Sequence, residues 1–247
     1  MRVGIIGTGL IGASIGAACR NRGDAVLGFD RSSDHWQLAI ANGNIDAFAA
    51  PDEIYASCQV VVIALPVDAT IEAVHGLRAR TFAAEQLVID VASVKGPIEE
   101  AGRDVAAFVP THPMAGGEGG GPGMARADLF AGRWWARIPT RDLHRTEAAR
   151  AFIGDLGAHP FTVAADVHDR VVALTSHLPQ LMAYGFSRCV RELSTSEDAG
   201  MVNALCGPVA RELLRISRSS REMWDPIFAA NAAAIEDALT MLKRELE

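Results

Sequence analysis

The chain has 247 residues, of which 49% are hydrophobic, 21% charged and 6% aromatic. That is long enough for one large or two smaller domains with a sizeable core, and apolar enough to exclude wholesale disorder. Lys plus Arg is 23 and Asp plus Glu is 30, a formal charge of -7, which excludes a general binder of nucleic acid or anionic membrane but leaves room for a local basic pocket. Cys19, Cys58, Cys189 and Cys206 are far apart and form no CxxC, so reduced thiols are expected rather than a disulfide or metal framework. No apolar run approaches the ~18 residues of a membrane helix. The apolar N-terminus carries one basic residue and glycines at fixed offsets, which a signal peptide does not need, so the expected location is cytoplasmic.

In chain order, Val3–Ile6 reads as a short buried strand and Ile11–Arg20 as a helix; Ala25–Phe29 is the next strand, and Gln37–Ala41 is helical. Val60–Leu65 is a continuous apolar run stopped by Pro66, Thr70–Arg80 is helix-like, Leu87–Val91 is a fourth strand and Ala107–Val109 a fifth. Continuous apolar strands separated by helices suit a mostly parallel sheet covered on both faces, so the expected fold is an N-terminal α/β domain of the doubly wound Rossmann type over 1–164. The run Gly116–Gly123 holds six glycines in eight residues and suits neither helix nor strand interior; strand-like sequence resumes at Trp134–Ile138, so it reads as a loop within the domain. Glu147–Leu156 is helical and Phe161–Val163 a last strand. Over 165–247 glycine nearly vanishes and the spacing becomes helical, with Val171, Val172, Leu174, Leu178, Leu181, Met182 and Phe186 crowding more than one face. Such a segment rarely buries its apolar residues alone, which predicts an all-helical domain that makes a homodimer.

Gly7-Thr8-Gly9-Leu10-Ile11-Gly12 follows a predicted strand and opens a predicted helix. Gly7 suits the tight turn, Gly9 the approach of a pyrophosphate and Gly12 close helix–sheet packing, while the N–H groups of Leu10, Ile11 and their neighbours face the anion. Asp30 lies 18 residues past Gly12 at the end of the second strand, where a carboxylate binds a ribose diol and repels a 2'-phosphate. NAD is therefore the expected cofactor; Arg31, Ser32 and Ser33 keep NADP possible. Ala64, Leu65 and Pro66, at the end of the third strand, complete the expected cofactor set.

The substrate side of such a sheet lies at the C-terminal strand ends. His112, in Thr111-His112-Pro113-Met114-Ala115-Gly116, can take a proton from a hydroxyl while hydride leaves for a nicotinamide, and Ser93 can orient its ring. His35, His75, His144 and His159 sit among polar or turn residues and read as solvated. His168 precedes Asp169 at a helix start and reads as a local cap. His177, inside an apolar helical run, needs a partner or belongs to the site. No HxxxH, CxxC or acid cluster points to a metal. Arg211, Arg215, Arg218 and Arg221 recur at helical spacing, either as a solvated basic face or with one guanidinium clamping a substrate carboxylate.

Together these segments resemble the prephenate/arogenate dehydrogenase family of tyrosine biosynthesis. The resemblance runs through most of the chain: GTGLIGASIG at the start, DVASVKG from Asp90, THPMAGGE from Thr111, DLFAG from Asp128, HDRVVALTSHLPQ from His168 and RISRSSREMWDPIFAAN from Arg215. It implies a Rossmann domain followed by a helical dimerisation domain. It also implies oxidation of prephenate or arogenate at the ring C4, with hydride passing to NAD(P) and loss of the ring carboxylate as CO2. By the same resemblance His112 hydrogen-bonds the C4 hydroxyl, Ser93 supports His112 and the nicotinamide, and His177, Arg215, Glu118 and Trp224 belong to the substrate pocket. Where many relatives have a glycine-rich run ahead of the arginine, this chain reads Cys206-Gly207-Pro208-Val209, which leaves prephenate versus arogenate open. A chain running from the Rossmann strand to Glu247 is expected to carry neither a fused chorismate mutase nor an ACT domain, so tyrosine would act only by product competition. Two alternatives stand beside this reading. A β-hydroxyacid or imine dehydrogenase would use a helical-domain lysine, but Lys95 and Lys243 are the only lysines. A non-catalytic dinucleotide sensor would need no proton acceptor.

Overall fold

Six short parallel strands organise the first part of the chain. Strand β1 (Arg2–Ile6), helix α1 (Leu10–Asn21), β2 (Ala25–Phe29), α2 (Ser33–Ala41), β3 (Ala47–Phe48), α3 (Pro51–Ser57), β4 (Val60–Ile63), α4 (Val67–Gly76), β5 (Leu87–Asp90), α5 (Gly96–Gly102) and β6 (Phe108–Val109) follow one another. The sheet order is β3-β2-β1-β4-β5-β6, parallel throughout. This is the doubly wound arrangement whose strand order reverses between β1 and β4, the place where such sheets bind ligands. The computed structural model describes residues 1–117, 119–195 and 199–247, apart from the side chains of residues 199 and 203. Every residue of β4 and β5 is buried, which is why these strands read as unbroken apolar runs rather than as alternating ones. The core joins Val3, Ile5, Ile15, Val62 and Ile89 to Phe130, Trp135 and Phe152.

Three elements escaped the pattern reading. Strand β3 has only two residues. Helices α3 and α5 have seven each, too short for a helical period to declare itself, although both carry a proline in the first turn, Pro51 and Pro97. A larger difference concerns His112. The expected fifth strand ends at Val109, and after Pro110 the chain starts a separate three-stranded sheet: β7 (Thr111–Pro113), β8 (Trp134–Arg137) and β9 (His159–Thr162), with β7 antiparallel to β8 and β9 parallel to it. His112 therefore stands inside a strand, opposite Ala136, and not in a loop beyond a strand end. Helix α6 (Leu143–Asp155) connects β8 and β9, its N-cap Asp142 accepting from the Arg145 N–H at 3.0 Å.

The glycine-rich segment lies within the domain as expected, and its far end is stitched down. The Pro122 carbonyl accepts from the Asn44 side chain at 3.2 Å, and the Arg126 N–H donates to the Ser14 hydroxyl of α1 at 3.0 Å.

The chain divides into two compact units, Met1–His168 and Asp169–Glu247, with the division inside helix α7 (Ala165–Val172). A single π-helical stretch, Ala173–His177, joins α7 to α8 (Leu178–Leu193). Pro179 supplies the physical reason: it has no N–H for the carbonyl four residues back and its ring crowds that carbonyl, so the helix widens just before it. Helices α9 (Ala199–Leu205), α10 (Pro208–Ile216), α11 (Arg221–Ala230) and α12 (Ala232–Leu246) complete the second unit. Its core is small: Ala173, Leu178, Ile235 and Ala238, with Leu181, Phe228, Leu239 and Leu242 packed around them. No residue of α10 is buried, Val209 is 77% exposed and Leu205 80%, and Val171, Leu174, Met182, Met201 and Met223 are exposed too. An apolar surface of this extent marks an interaction face. No helix among the described residues is long and apolar enough to cross a membrane.

Candidate active site

The turn after β1 is shaped by its three glycines in three different ways. Gly7 has φ +100°, and a Cβ there would lie 2.1 Å from the Ala64 carbonyl oxygen. A Cβ at Gly12 would lie 1.9 Å from the Gly7 carbonyl oxygen and 2.9 Å from Ile5. Both positions are closed to any side chain. Gly9 is different, because a Cβ there would meet nothing within 4 Å. The open space lies at the N-terminus of α1, where Gly9 is the N-cap, no side chain caps the helix and no acid stands in the first turn. Leu10 and Ile11 pack their half-buried side chains against the core and leave the first-turn N–H groups for an anion. These residues fit a dinucleotide pyrophosphate.

Asp30 closes the cradle on the β2 side. Its Oδ2 accepts from the Thr8 N–H at 2.8 Å and lies 3.5 Å from His35 Nδ1, and its Oδ1 accepts from the Ser32 N–H at 2.9 Å. The carboxylate is thus held rigidly where a ribose diol would meet it. Ser32 caps α2, its hydroxyl accepting from the His35 N–H at 3.4 Å, and Arg31 beside it is exposed. On the β4 side the Ala64 N–H donates to the Ile6 carbonyl at 2.7 Å, and the Thr70 hydroxyl holds the Leu65 carbonyl at 3.0 Å where Pro66 starts α4.

The ends of β5 and β7 are tied by a buried ion pair. Asp90 and Lys95 are both fully buried and in contact, and Lys95 Nζ also donates to the Thr111 carbonyl at 2.7 Å. Asp90 further accepts from the N–H groups of Thr111 at 3.0 Å and Ala92 at 2.9 Å, while the Trp135 indole donates to the Thr111 hydroxyl at 3.0 Å. The network fixes Thr111, and with it the next residue, His112. Ser93 is half-buried on the turn between Asp90 and Lys95. Sequence reasoning did not pair Asp90 with Lys95, although the DVASVK spacing, an acid and a lysine five residues apart at a strand end, was the available signal.

The His112 ring is held by His168. His112 Nδ1 and His168 Nε2 are 2.9 Å apart, with the rings edge to face at 68°, and among the described residues no hydrogen bond joins Ser93 to His112. The expectation that His168 caps a helix is overturned. It is the fourth residue of α7, its N–H already donates to the Ala164 carbonyl, and its ring is 4% exposed and turned to His112.

The second unit has its own cluster. His177 is 1% exposed at the end of the π stretch, and the Asn231 side-chain amide donates to its Nδ1 at 3.1 Å and to the Asp169 carbonyl at 2.9 Å. With Nδ1 accepting, the His177 proton sits on Nε2. The Trp224 ring stands edge-on to His177, 6.0 Å between centroids, and its buried indole N–H has no hydrogen-bond partner among the described residues. Asn231, absent from the sequence-based candidates, is the polar break between α11 and α12. The arginines do not form one helical face: Arg215 is on α10, Arg218 follows its end and Arg221 begins α11. The Arg215 guanidinium, 44% exposed, is gripped by both oxygens of Glu212, which holds the Glu212 carboxyl below its ordinary range. Glu118 lies outside the described residues.

Comparison with known proteins matches 15–161 to the family model "Prephenate dehydrogenase, nucleotide-binding domain" and 164–247 to "Prephenate dehydrogenase, dimerization domain". A probable prephenate dehydrogenase of Streptomyces niveus is 33% identical over 98% of the chain and 66% of its own length. The prephenate dehydrogenase of Bacillus subtilis (strain 168) is 28% identical over 98% of the chain and 67% of its own length. The chain thus spans about two thirds of the length of these relatives. Among solved structures, prephenate dehydrogenase from A. aeolicus in complex with hydroxyphenyl propionate and NAD+ superposes with a TM-score of 0.89 at 26% identity, over 100% of this chain and 88% of that one.

Proposed function

The chain belongs to the prephenate dehydrogenase family, and on that premise we propose that it oxidises and decarboxylates prephenate, arogenate or both, with NAD as hydride acceptor. The observation that carries the reading is the half-buried His112 ring, held against His168 beside the clamped end of β5, in the same unit as a glycine turn open at Gly9. The cradle of Gly7, Gly9, Leu10, Ile11, Gly12 and Ala64 to Pro66 holds the dinucleotide, and Asp30 takes the ribose diol. Arg31 and Ser32 are the groups that would tolerate NADP.

Held in that cradle, NAD would supply the acceptor for the hydride leaving the ring C4. His112 takes the proton of the C4 hydroxyl, so that a carbonyl forms as hydride leaves. Loss of the ring carboxylate as CO2 sends its bonding electrons into the ring, and His112 returns the proton to the C4 oxygen, now a phenol. Aromatisation drives the decarboxylation, so the chain supplies position and one proton site. Ser93 lies on the β5 turn and steadies the nicotinamide side. In the second unit His177, with its Nε2 proton, and the Trp224 indole N–H donate to the substrate, and Arg215 exchanges Glu212 for a substrate carboxylate, one bidentate partner for another. The exposed apolar helices of that unit form a homodimer, and the enzyme works in the cytoplasm.

The test offers purified protein each acid in turn with NAD and with NADP and follows the ultraviolet absorbance of the reduced cofactor. Turnover of at least one acid with NAD is expected. Cofactor binding without turnover of either would favour a dinucleotide sensor.

A further inference from the structure

From the contact between the half-buried His112 and the buried His168 we infer that His168 is a positioning residue, one that selects the tautomer in which His112 works as a base. The inference rests on the reading of His112 as the proton acceptor.

Two imidazole nitrogens 2.9 Å apart share one proton. The bond allows two neutral arrangements. If His112 Nδ1 carries the proton and donates to His168 Nε2, the acceptor of the His112 ring is Nε2, and it can take the hydroxyl proton. If His168 Nε2 carries the proton, His112 must hold its own on Nε2 and cannot act as a base. Only the first arrangement is productive. A histidine in water interconverts its tautomers freely, whereas this bond is shielded, with His168 4% exposed and the rings set edge to face so that nitrogen points at nitrogen. Both partners are placed by backbone: His112 by β7, whose neighbour Thr111 is tied into the Asp90–Lys95 network, and His168 by the first turns of α7. When the hydroxyl proton arrives on His112 Nε2, the Nδ1–H bond to a neutral imidazole also spreads the new positive charge over a second ring, the service an orienting group gives a catalytic histidine elsewhere. A helix cap or a solvated surface histidine would show neither the burial nor the aimed nitrogen.

The test compares His168→Gln with His168→Leu. Glutamine offers an oxygen close to where Nε2 stands and can accept from His112 Nδ1; leucine fills the space and accepts nothing. With prephenate or arogenate and NAD, H168L is expected to lose roughly 10–100-fold in kcat, as for loss of an orienting group, with KM for NAD unchanged. H168Q is expected to stay within about fivefold of the wild-type kcat, since the acceptor is restored. Nitrogen NMR of 15N-histidine-labelled protein, with the His112 signals assigned from His112→Asn, reads the tautomer without any turnover. The wild type and H168Q are expected to show His112 protonated on Nδ1 and bare on Nε2, and H168L a mixture. A wild-type His112 bearing its proton on Nε2 would overturn the inference, as would an H168L kcat equal to the wild type or equal losses in H168Q and H168L. If the wild type turns over neither acid, the functional reading fails, and the NMR result still decides whether His168 sets the tautomer.

Discussion

Lys95→Met removes the positive half of a fully buried ion pair while keeping most of the side-chain volume. The variant leaves the Asp90 carboxylate with the N–H groups of Ala92 and Thr111 and no counter-charge, and strips the Thr111 carbonyl of its Nζ donor. Breaking a buried pair by removing one partner costs about 3–5 kcal/mol, because the remaining charge is stranded away from water. Met1–His168 is a unit of 168 residues, for which the entropy of unfolding is about 0.35 kcal/mol per kelvin, so the first unit should melt roughly 10 °C lower. Scanning calorimetry of the whole chain measures this. In Asp90→Asn/Lys95→Met both charges are gone, and about 1–3 kcal/mol should return as coupling energy. Recovery stays incomplete, because the two N–H groups reach different oxygens of the carboxylate and asparagine turns one of those oxygens into an NH2 donor. A Lys95→Met protein within about 1 kcal/mol of the wild type would refute the reasoning, since it would mean that the stranded carboxylate is neutral or hydrated.

Gly9→Ala and Gly12→Ala should separate binding from folding. Alanine at Gly9 meets nothing within 4 Å and should leave Tm nearly unchanged, yet weaken NAD by at least about tenfold by occupying the pyrophosphate's space. Alanine at Gly12 should lower stability by about 1–3 kcal/mol or more as α1 is pushed off the sheet; equal effects of the two on Tm would count against the cradle. His112→Asn should lower kcat by roughly 10²–10⁴ with NAD affinity preserved, measured by steady-state kinetics and cofactor titration, and an unchanged kcat would remove it as the base. Burial pushes the Cys19 thiol up to about 12 and raises that of Cys58, so mass spectrometry after brief iodoacetamide treatment at mildly alkaline pH should find both unmodified in the native protein. Since an unfolded Cys19 ionises near 9.0, its contribution to stability is complete below that pH and is lost as pH rises toward about 12; early labelling of Cys19 would contradict the burial.

Much of the first unit was legible because its signals are local. Strands buried on both faces must be apolar without interruption, and a helix that starts on a phosphate site must have small residues at fixed offsets, so β1, β4, β5 and Gly7 to Gly12 could be found from spacing alone. The apolar surplus of the last 80 or so residues likewise announced helices that cannot bury their faces unaided. What spacing does not carry is a partner far along the chain. The bond between His112 and His168 spans 56 residues, that between His177 and Asn231 spans 54, and the hold of Lys95 on the Thr111 carbonyl depends on two strand ends meeting in different sheets. The helical spacing of Arg211, Arg215, Arg218 and Arg221 left a basic face or a single clamp open, and only the family resemblance pointed to Arg215; the fold breaks that spacing between two helices and sets Glu212 against Arg215. Residue type and periodicity determine which face an element buries, because burial is decided turn by turn. Which nitrogen of an imidazole holds the proton is decided by the atoms placed against its ring, and only the closed tertiary structure brings them there.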